Sequence, residues 1–478
     1  MHWRMPRNLS SLVYLSNNWV SLAGVVLVTS ASVFWLFLLP VTLRGQATHP
    51  YIGILIFLVL PIAFFAGLAL IPLGIYFVRR PAPAAGGSAA FPPLNWQNPD
   101  FRRLVLFIGA TTFVNIIIGS QLSYSAVNYM DTVTFCGRTC HTVMEPEYVG
   151  HQNSPHARVA CVDCHIGPGA SWFVRSKLSG TSQVFHTLLD NYPRPIPSPV
   201  ENLRPARETC EVCHWPRKFD ADRLRVIRRY GDDAQNSLTY TVLMVKIGGG
   251  EGGVGIHGMH VGPGVRVRYA YSDQKRQTIP WVEYTDRRGH TTVYRAGDSK
   301  TPLPGTLPVR EMDCVDCHNR PTHTFQLPEH AMDDAMAAGA ISAALPFIKK
   351  EGVAVLRAAY ATRQDADARI PASLAAFYRQ NYPDIYQKQE KLIGQAGGAM
   401  AGIYDRNVFP AMRVTWGTYT DNLGHTDFPG CFRCHDGSHT APGGESVTQD
   451  CSACHDLLAV EEASPKVLSD VGLGTAAR

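Results

Sequence analysis

The cysteines constrain this chain more than any other feature. There are twelve, and all fall into six pairs. The pairs open at Cys136 (CGRTCH), Cys161 (CVDCH), Cys210 (CEVCH), Cys314 (CVDCH), Cys431 (CFRCH) and Cys451 (CSACH). They close at Cys140, Cys164, Cys213, Cys317, Cys434 and Cys454, and a histidine follows each closing cysteine: His141, His165, His214, His318, His435 and His455. Paired thiols with an adjacent imidazole are the attachment signature of c-type haem. The two thiols add to the two vinyl groups of one porphyrin, and the next residue supplies an axial ligand to its iron. Zinc is the main alternative, since twelve cysteines could close three four-thiolate sites. Zinc, however, demands no histidine after every pair. A disulfide framework suits a small stapled domain, not a chain of 478 residues. The pattern therefore predicts six covalent haems. The first motif holds three residues between its sulfurs instead of two, a tolerated variant.

Hydropathy adds a membrane. Three uncharged apolar runs lie at 19–41, 51–78 and 104–122, each long enough for about 30 Å of hydrocarbon. The first lacks a small-residue cleavage site close behind it, so a retained helix is expected in place of a signal peptide. Pro61 and Pro72 predict kinks, which membrane helices tolerate. Basic residues orient the set. Arg4 and Arg7 precede the first run, and Arg79, Arg80, Arg102 and Arg103 lie between the second and third, whereas only Arg44 separates the first two. The N-terminus is thus expected in the cytoplasm and everything after about residue 123 outside it, in the periplasm of a Gram-negative cell. All six motifs fall on that side, where c-type haems are attached. The predicted class is a membrane-anchored multihaem cytochrome c. It combines three transmembrane helices with a mainly α/irregular periplasmic haem domain and a small β-rich insert.

The expected organisation is a three-helix anchor over 1–123, a three-haem region over 124–219 and the β-rich insert over 220–310. The fourth motif follows over 311–328, a helical region over 329–424, a two-haem module over 425–460 and a loose tail over 461–478. The runs RLRVIRRY, SLTYTVLMVKI and GVRVRYAYS carry the strand signal. The glycine-rich tip of the insert is expected to bring His257 and His260 towards a haem. The net charge of +5 points to no nucleic-acid partner.

Electron-carrying c haems commonly take a second, neutral imidazole. Of 18 histidines, ten are neither proximal nor outside the haem region, so supply exceeds demand. His156, His323, His425 and His439 rank first because each lies near a motif. His257 or His260 comes next, then His186, with His290 and His330 weaker; His151 completes the set.

The run from the last apolar segment through "CGRTCHTVM…SPHARVACVDCHIGPGASWFVRSKLSG" to "ETCEVCHWP" resembles the NapC/NirT family of membrane-anchored quinol dehydrogenase cytochromes. The C-terminal "CHNRPTH" and "PGCFRCHDGSH" look like modules of larger inner-membrane cytochromes from metal-reducing bacteria. The resemblance implies oxidation of a membrane quinol, such as menaquinol, and delivery of electrons to periplasmic cytochromes or a membrane respiratory complex. It implies Lys177 as a basic residue of the quinol pocket, with Asp163, Arg175 and Glu145 as weaker proton acceptors. Family members also place a methionine just beyond the first motif. Here Met144 stands three residues past His141. Either Met144 replaces His141 on the first iron, or it packs against the porphyrin while His141 ligates. Two other functions remain open: a non-catalytic relay subunit of a larger membrane complex, and a terminal periplasmic reductase. The latter needs an open iron position.

Overall fold

The computed structural model describes residues 18–43, 58–77, 96–97, 102, 120–121, 124–125, 127–139, 141–167, 169–200, 203–214, 221–248, 254–297 and 305–474. The chain divides into two compact units, Met1–Cys140 and His141–Arg478.

In the first unit, α1 (Trp19–Leu43) and α2 (Leu60–Phe77) form an antiparallel pair. Small residues set their approach: a Cβ on Gly24 would meet Gly67 O at 2.7 Å, and a Cβ on Gly67 would meet Gly24 O at the same distance. Backbones this close need glycine on both sides, a common device between apolar helices. Ser21 Oγ donates to Ile71 O (2.9 Å), and Ala31, Trp35, Leu60 and Phe64 close the other end. Large apolar side chains, among them Phe34, Ile62 and Phe65, face outwards. Among the described residues no helix is long and apolar enough to cross a membrane. Helix α2 has 18 residues, about 27 Å at 1.5 Å each, and the side chains of α1 beyond Trp35 are not described. The expected span at 104–122 and both connecting loops lie almost wholly outside the described residues. The three-span anchor thus stays a reading of hydropathy. The unit ends on a π-helical turn, Phe135–Thr139, which carries Cys136.

The second unit begins with α3 (His141–Gln152), α4 (Cys161–His165), α5 (Ala170–Leu188) and α6 (Ala206–Cys210). Strands β1 (Arg223–Tyr230) and β2 (Leu238–Val245) pair antiparallel over eight residues, Arg223 opposite Val245 and Tyr230 opposite Leu238. A short helix, α7 (Gly255–His260), leads to β3 (Arg266–Ala270), β4 (Trp281–Thr285), β5 (Thr291–Arg295) and β6 (Val309–Glu311). These last four make one antiparallel sheet, ordered β5-β4-β3-β6. Helix α8 (Cys314–Cys317) precedes four helices: α9 (Pro328–Ala337), α10 (Ile348–Leu356), α11 (Arg363–Asn381) and α12 (Pro383–Asn407). They bury the largest apolar core, which includes Met332, Leu345, Ile370, Leu374, Tyr378 and Met400. Strand β7 (His455–Glu462) and α13 (Lys466–Asp470) end the described chain.

Two features differ from the sequence reading. The β-rich segment is not self-contained, because β7 pairs with β2 and completes a three-stranded sheet ordered β1-β2-β7. The end of the chain is not a loose tail throughout: Leu468 of α13 is buried with Tyr240, Val242 and Ala459. One apolar residue in a polar segment was too weak a periodic signal to predict that docking.

Candidate metal centres

Each motif from the second to the sixth is a single turn closed by local hydrogen bonds. The amide of the histidine donates to the carbonyl of the first cysteine at His214 (2.8 Å), His318 (2.8 Å) and His435 (3.1 Å). That one-turn spacing sets the first thiol and the imidazole on the same side. Aspartates fix the turns. Asp313 accepts from Cys314 N at 2.6 Å, Asp316 returns to Asp313 N at 2.7 Å, Asp163 accepts from Ala160 N at 3.2 Å, and Asp450 accepts from Ser452 N at 2.9 Å. No disulfide joins the described motif cysteines; Cys140 lies outside the described residues.

The histidines come in pairs. His165 faces His323 with ring centroids 6.3 Å apart, His214 faces His156 at 5.8 Å, and His318 faces His257 at 6.3 Å. His435 faces His260 at 5.8 Å and His455 faces His425 at 6.2 Å. Two imidazole nitrogens about 2 Å either side of one metal ion put their ring centroids about 6 Å apart. From the second motif to the sixth, then, each proximal histidine has a partner at the spacing of two axial ligands on one iron.

The ring orientations agree. His323 Nδ1 donates to Glu147 O (2.9 Å), His260 Nδ1 to Ile256 O (2.7 Å) and His435 Nδ1 to Thr448 O (2.7 Å). A carbonyl on Nδ1 fixes the tautomer and leaves Nε2 for a metal, the usual support of a ligating imidazole. Burial lowers the pKa of His257, His260, His318 and His323, which favours the neutral ring that metals bind. Helix α7 serves two motifs at once, since His257 and His260 lie one turn apart on it and face the fourth and fifth.

Neighbouring motifs touch in chain order. The Cys164 thiol is raised first by burial and next by Cys210, which places the second motif beside the third. The Cys210 and Cys314 side chains perturb each other, which places the third motif beside the fourth, and Asp313 also accepts from Ala206 N (2.7 Å) in the helix that leads into the third motif. Arg433, inside the fifth motif, donates to Asp316 O (2.7 Å) inside the fourth. Asp316 itself is buried and receives Tyr269 Oη (2.6 Å), Arg310 Nε (2.9 Å) and Arg276 Nη1 (3.3 Å). Phe432 of the fifth motif stacks on His425 of the sixth pair, centroids 4.4 Å apart.

The other sequence candidates are placed as follows. His439 meets no motif histidine; its ring nitrogens are engaged by Asp436 Oδ1 (2.8 Å) and Ile279 O (2.7 Å). His186 Nδ1 meets Asn191 Oδ1 (2.8 Å) on an exposed helix end. His151 meets Val159 O and Gln152 through its two nitrogens. His290 lies in the exposed β4–β5 turn, and His330 reaches Asp427 at 3.3 Å. Met144 packs on the cluster of Val143, Phe409, Met412, Val414 and Tyr419. Glu145 forms an ion pair with Arg363, Arg175 lies over Trp172, and Asp163 is exposed. The side chains of Lys177 and His141 lie outside the described residues. Sequence reasoning missed Glu147. Its carboxylate accepts two hydrogen bonds from Arg320 (3.0 and 3.1 Å) and lies 3.2 Å from His323 Nδ1. Only a contact 176 residues away reveals that role.

Comparison with known proteins agrees with this geometry. Residues 99–195 match the N-terminal region of the NapC/NirT cytochrome c family. The chain is also 39% identical over 447 residues to the cytochrome c-type protein ImcH of Geobacter sulfurreducens, covering 92% of this chain and 88% of that protein. The chain belongs to the NapC/NirT cytochrome c family. It is therefore a membrane-associated multihaem cytochrome of electron transfer, with covalently bound haem c. No solved structure matches it.

Proposed function

We propose that this NapC/NirT cytochrome oxidises membrane quinol at the periplasmic face of the inner membrane and delivers the electrons to periplasmic acceptors. The five facing histidine pairs carry the reading of the haem domain. Six haem c groups would be held by the twelve motif cysteines and six motif histidines, with His323, His156, His257, His260 and His425 opposite the second to sixth. Bound haem supplies one-electron iron chemistry at potentials that the protein tunes through ligands and burial. The chain's residues hold both rings of each pair at one spacing, which favours fast transfer with little rearrangement. A second histidine at each of these five motifs leaves no open position for a substrate, which weighs against a terminal reductase.

Quinol oxidation also releases two protons, so the site beside the first motif needs bases. Lys177 and Asp163 are assigned that role by family resemblance. Glu145 is held by Arg363, which makes it the poorer acceptor. The hydropathy of 19–41, 51–78 and 104–122 supports three spans, with the N-terminus in the cytoplasm and the haem domain outside. Membrane lipid and the quinone pool are then the partners on one side, and periplasmic cytochromes on the other.

The test is the detergent-purified holoprotein. Haem assay should give six groups per chain, and EPR should show five low-spin bis-histidine centres plus a first site of its own character. A menaquinol analogue should reduce them rapidly. Haems that stay oxidised under quinol, with all six low-spin, would instead identify a relay subunit fed by another membrane protein.

A further inference from the structure

We infer that β7 is a docking surface for a basic redox partner, a reading that rests on the electron-delivering role just proposed. Strand β7 starts at His455, so it leaves directly from the last motif. It is an edge strand, with β2 on one side and no strand on the other among the described residues. Such an edge offers unpaired backbone groups to another chain. Its outward residues are apolar: Leu457 is 57% exposed, Val460 54% and Leu458 39%. Only Ala459 turns inward, onto Tyr240 and Val242. An apolar strip of this kind, rimmed by charge, marks an interaction site.

The rim is acidic. Asp450, Glu461 and Glu462 are exposed around the strip, and Asp456 reaches Lys246 at 2.9 Å. The surrounding segment, residues 421–474, holds nine acidic and two basic side chains, in a chain whose net charge is +5. The sixth motif is open to solvent as well: Cys451 and the facing His425 are exposed, as is Phe432 of the fifth motif beside them. An apolar centre with an acidic rim fits a small electron carrier with lysines around its own redox group. Such charge matching chiefly speeds encounter and sets orientation, and salt weakens it. The opposite edge, β1, exposes Arg223, Arg225, Arg228 and Arg229. A second copy could therefore offer its basic edge to this acidic one, and the experiment separates the two occupants.

Binding is measured on the holoprotein by titration calorimetry, with mitochondrial-type ferricytochrome c as the basic probe and no electron transfer in the assay. The expected dissociation constant rises about tenfold between 20 and 200 mM NaCl, and about as much at low salt in E462K/L458S. E390K, an exposed charge reversal on α12, should leave it unchanged. Equal weakening by E390K, or no weakening by E462K/L458S, overturns the proposal. Self-association of the chain that disappears in R228E/R229E would assign β7 to a second copy and likewise overturn it. Haem content and quinol reduction of the same variants are read separately. A loss there would indict the proposed function, while intact haems with unaltered probe binding would indict the docking surface alone.

Discussion

Single residues carry much of the precision of the haem domain. Glu147 joins the helix after the first motif to the ring facing His165, and Arg320 is its partner, buried along most of its length. Replacing Glu147 with Ala strands that guanidinium. Thermal melts followed in the Soret band should show a loss of about 3 kcal/mol, and E147A/R320A should lose less than the sum of the single variants. Asp316 is a second such residue, with two arginines and a tyrosine on one buried carboxylate inside the fourth motif. D316N keeps the shape and removes the charge that both guanidinia face. It should cost about 3–5 kcal/mol, read the same way. Residues of this kind were not legible beforehand. Nothing local in "EPEY" distinguishes Glu147 from Glu145, and their roles diverge only because Arg320 and Arg363 arrive from distant segments.

Among elements, α7 has the most leverage. One turn of helix positions a histidine opposite the fourth motif and another opposite the fifth. H257M should leave haem content at the wild-type value, convert one bis-histidine EPR signal to histidine–methionine, and raise the potential of that centre in a redox titration. An unchanged spectrum would remove His257 from the ligand set. In the first unit, the Gly24–Gly67 contact makes a similarly sharp prediction: Gly24→Leu should force α1 and α2 apart and lower the melting temperature of the detergent-solubilised protein, while Ser32→Leu, on the exposed side, should not. Motifs and element types were readable because their signals are local: a fixed cysteine spacing, or alternation along a strand. Ligand pairing is not local. His439, four residues from the fifth motif's histidine, looked well placed yet is tied to Asp436 and Ile279, whereas His156 faces His214 from 58 positions away in the chain, 214 minus 156.

For the whole molecule, the order of the motifs in the sequence is also their order in space from the second to the sixth, since each thiol or motif side chain contacts the next. The facing pairs have a further consequence, in the timing of biosynthesis. His156, His257, His260 and His425 all precede the motifs they face, so those imidazoles exist before the matching cysteines emerge. His323 alone follows, 158 residues after His165, 323 minus 165. At about 5–20 residues per second that is a delay of about 8–30 s. With the ligand set proposed above, the second site would be among the first to offer its thiols to the attachment machinery and would wait longest for its second imidazole. Its coordination would close only after the fourth motif has been made.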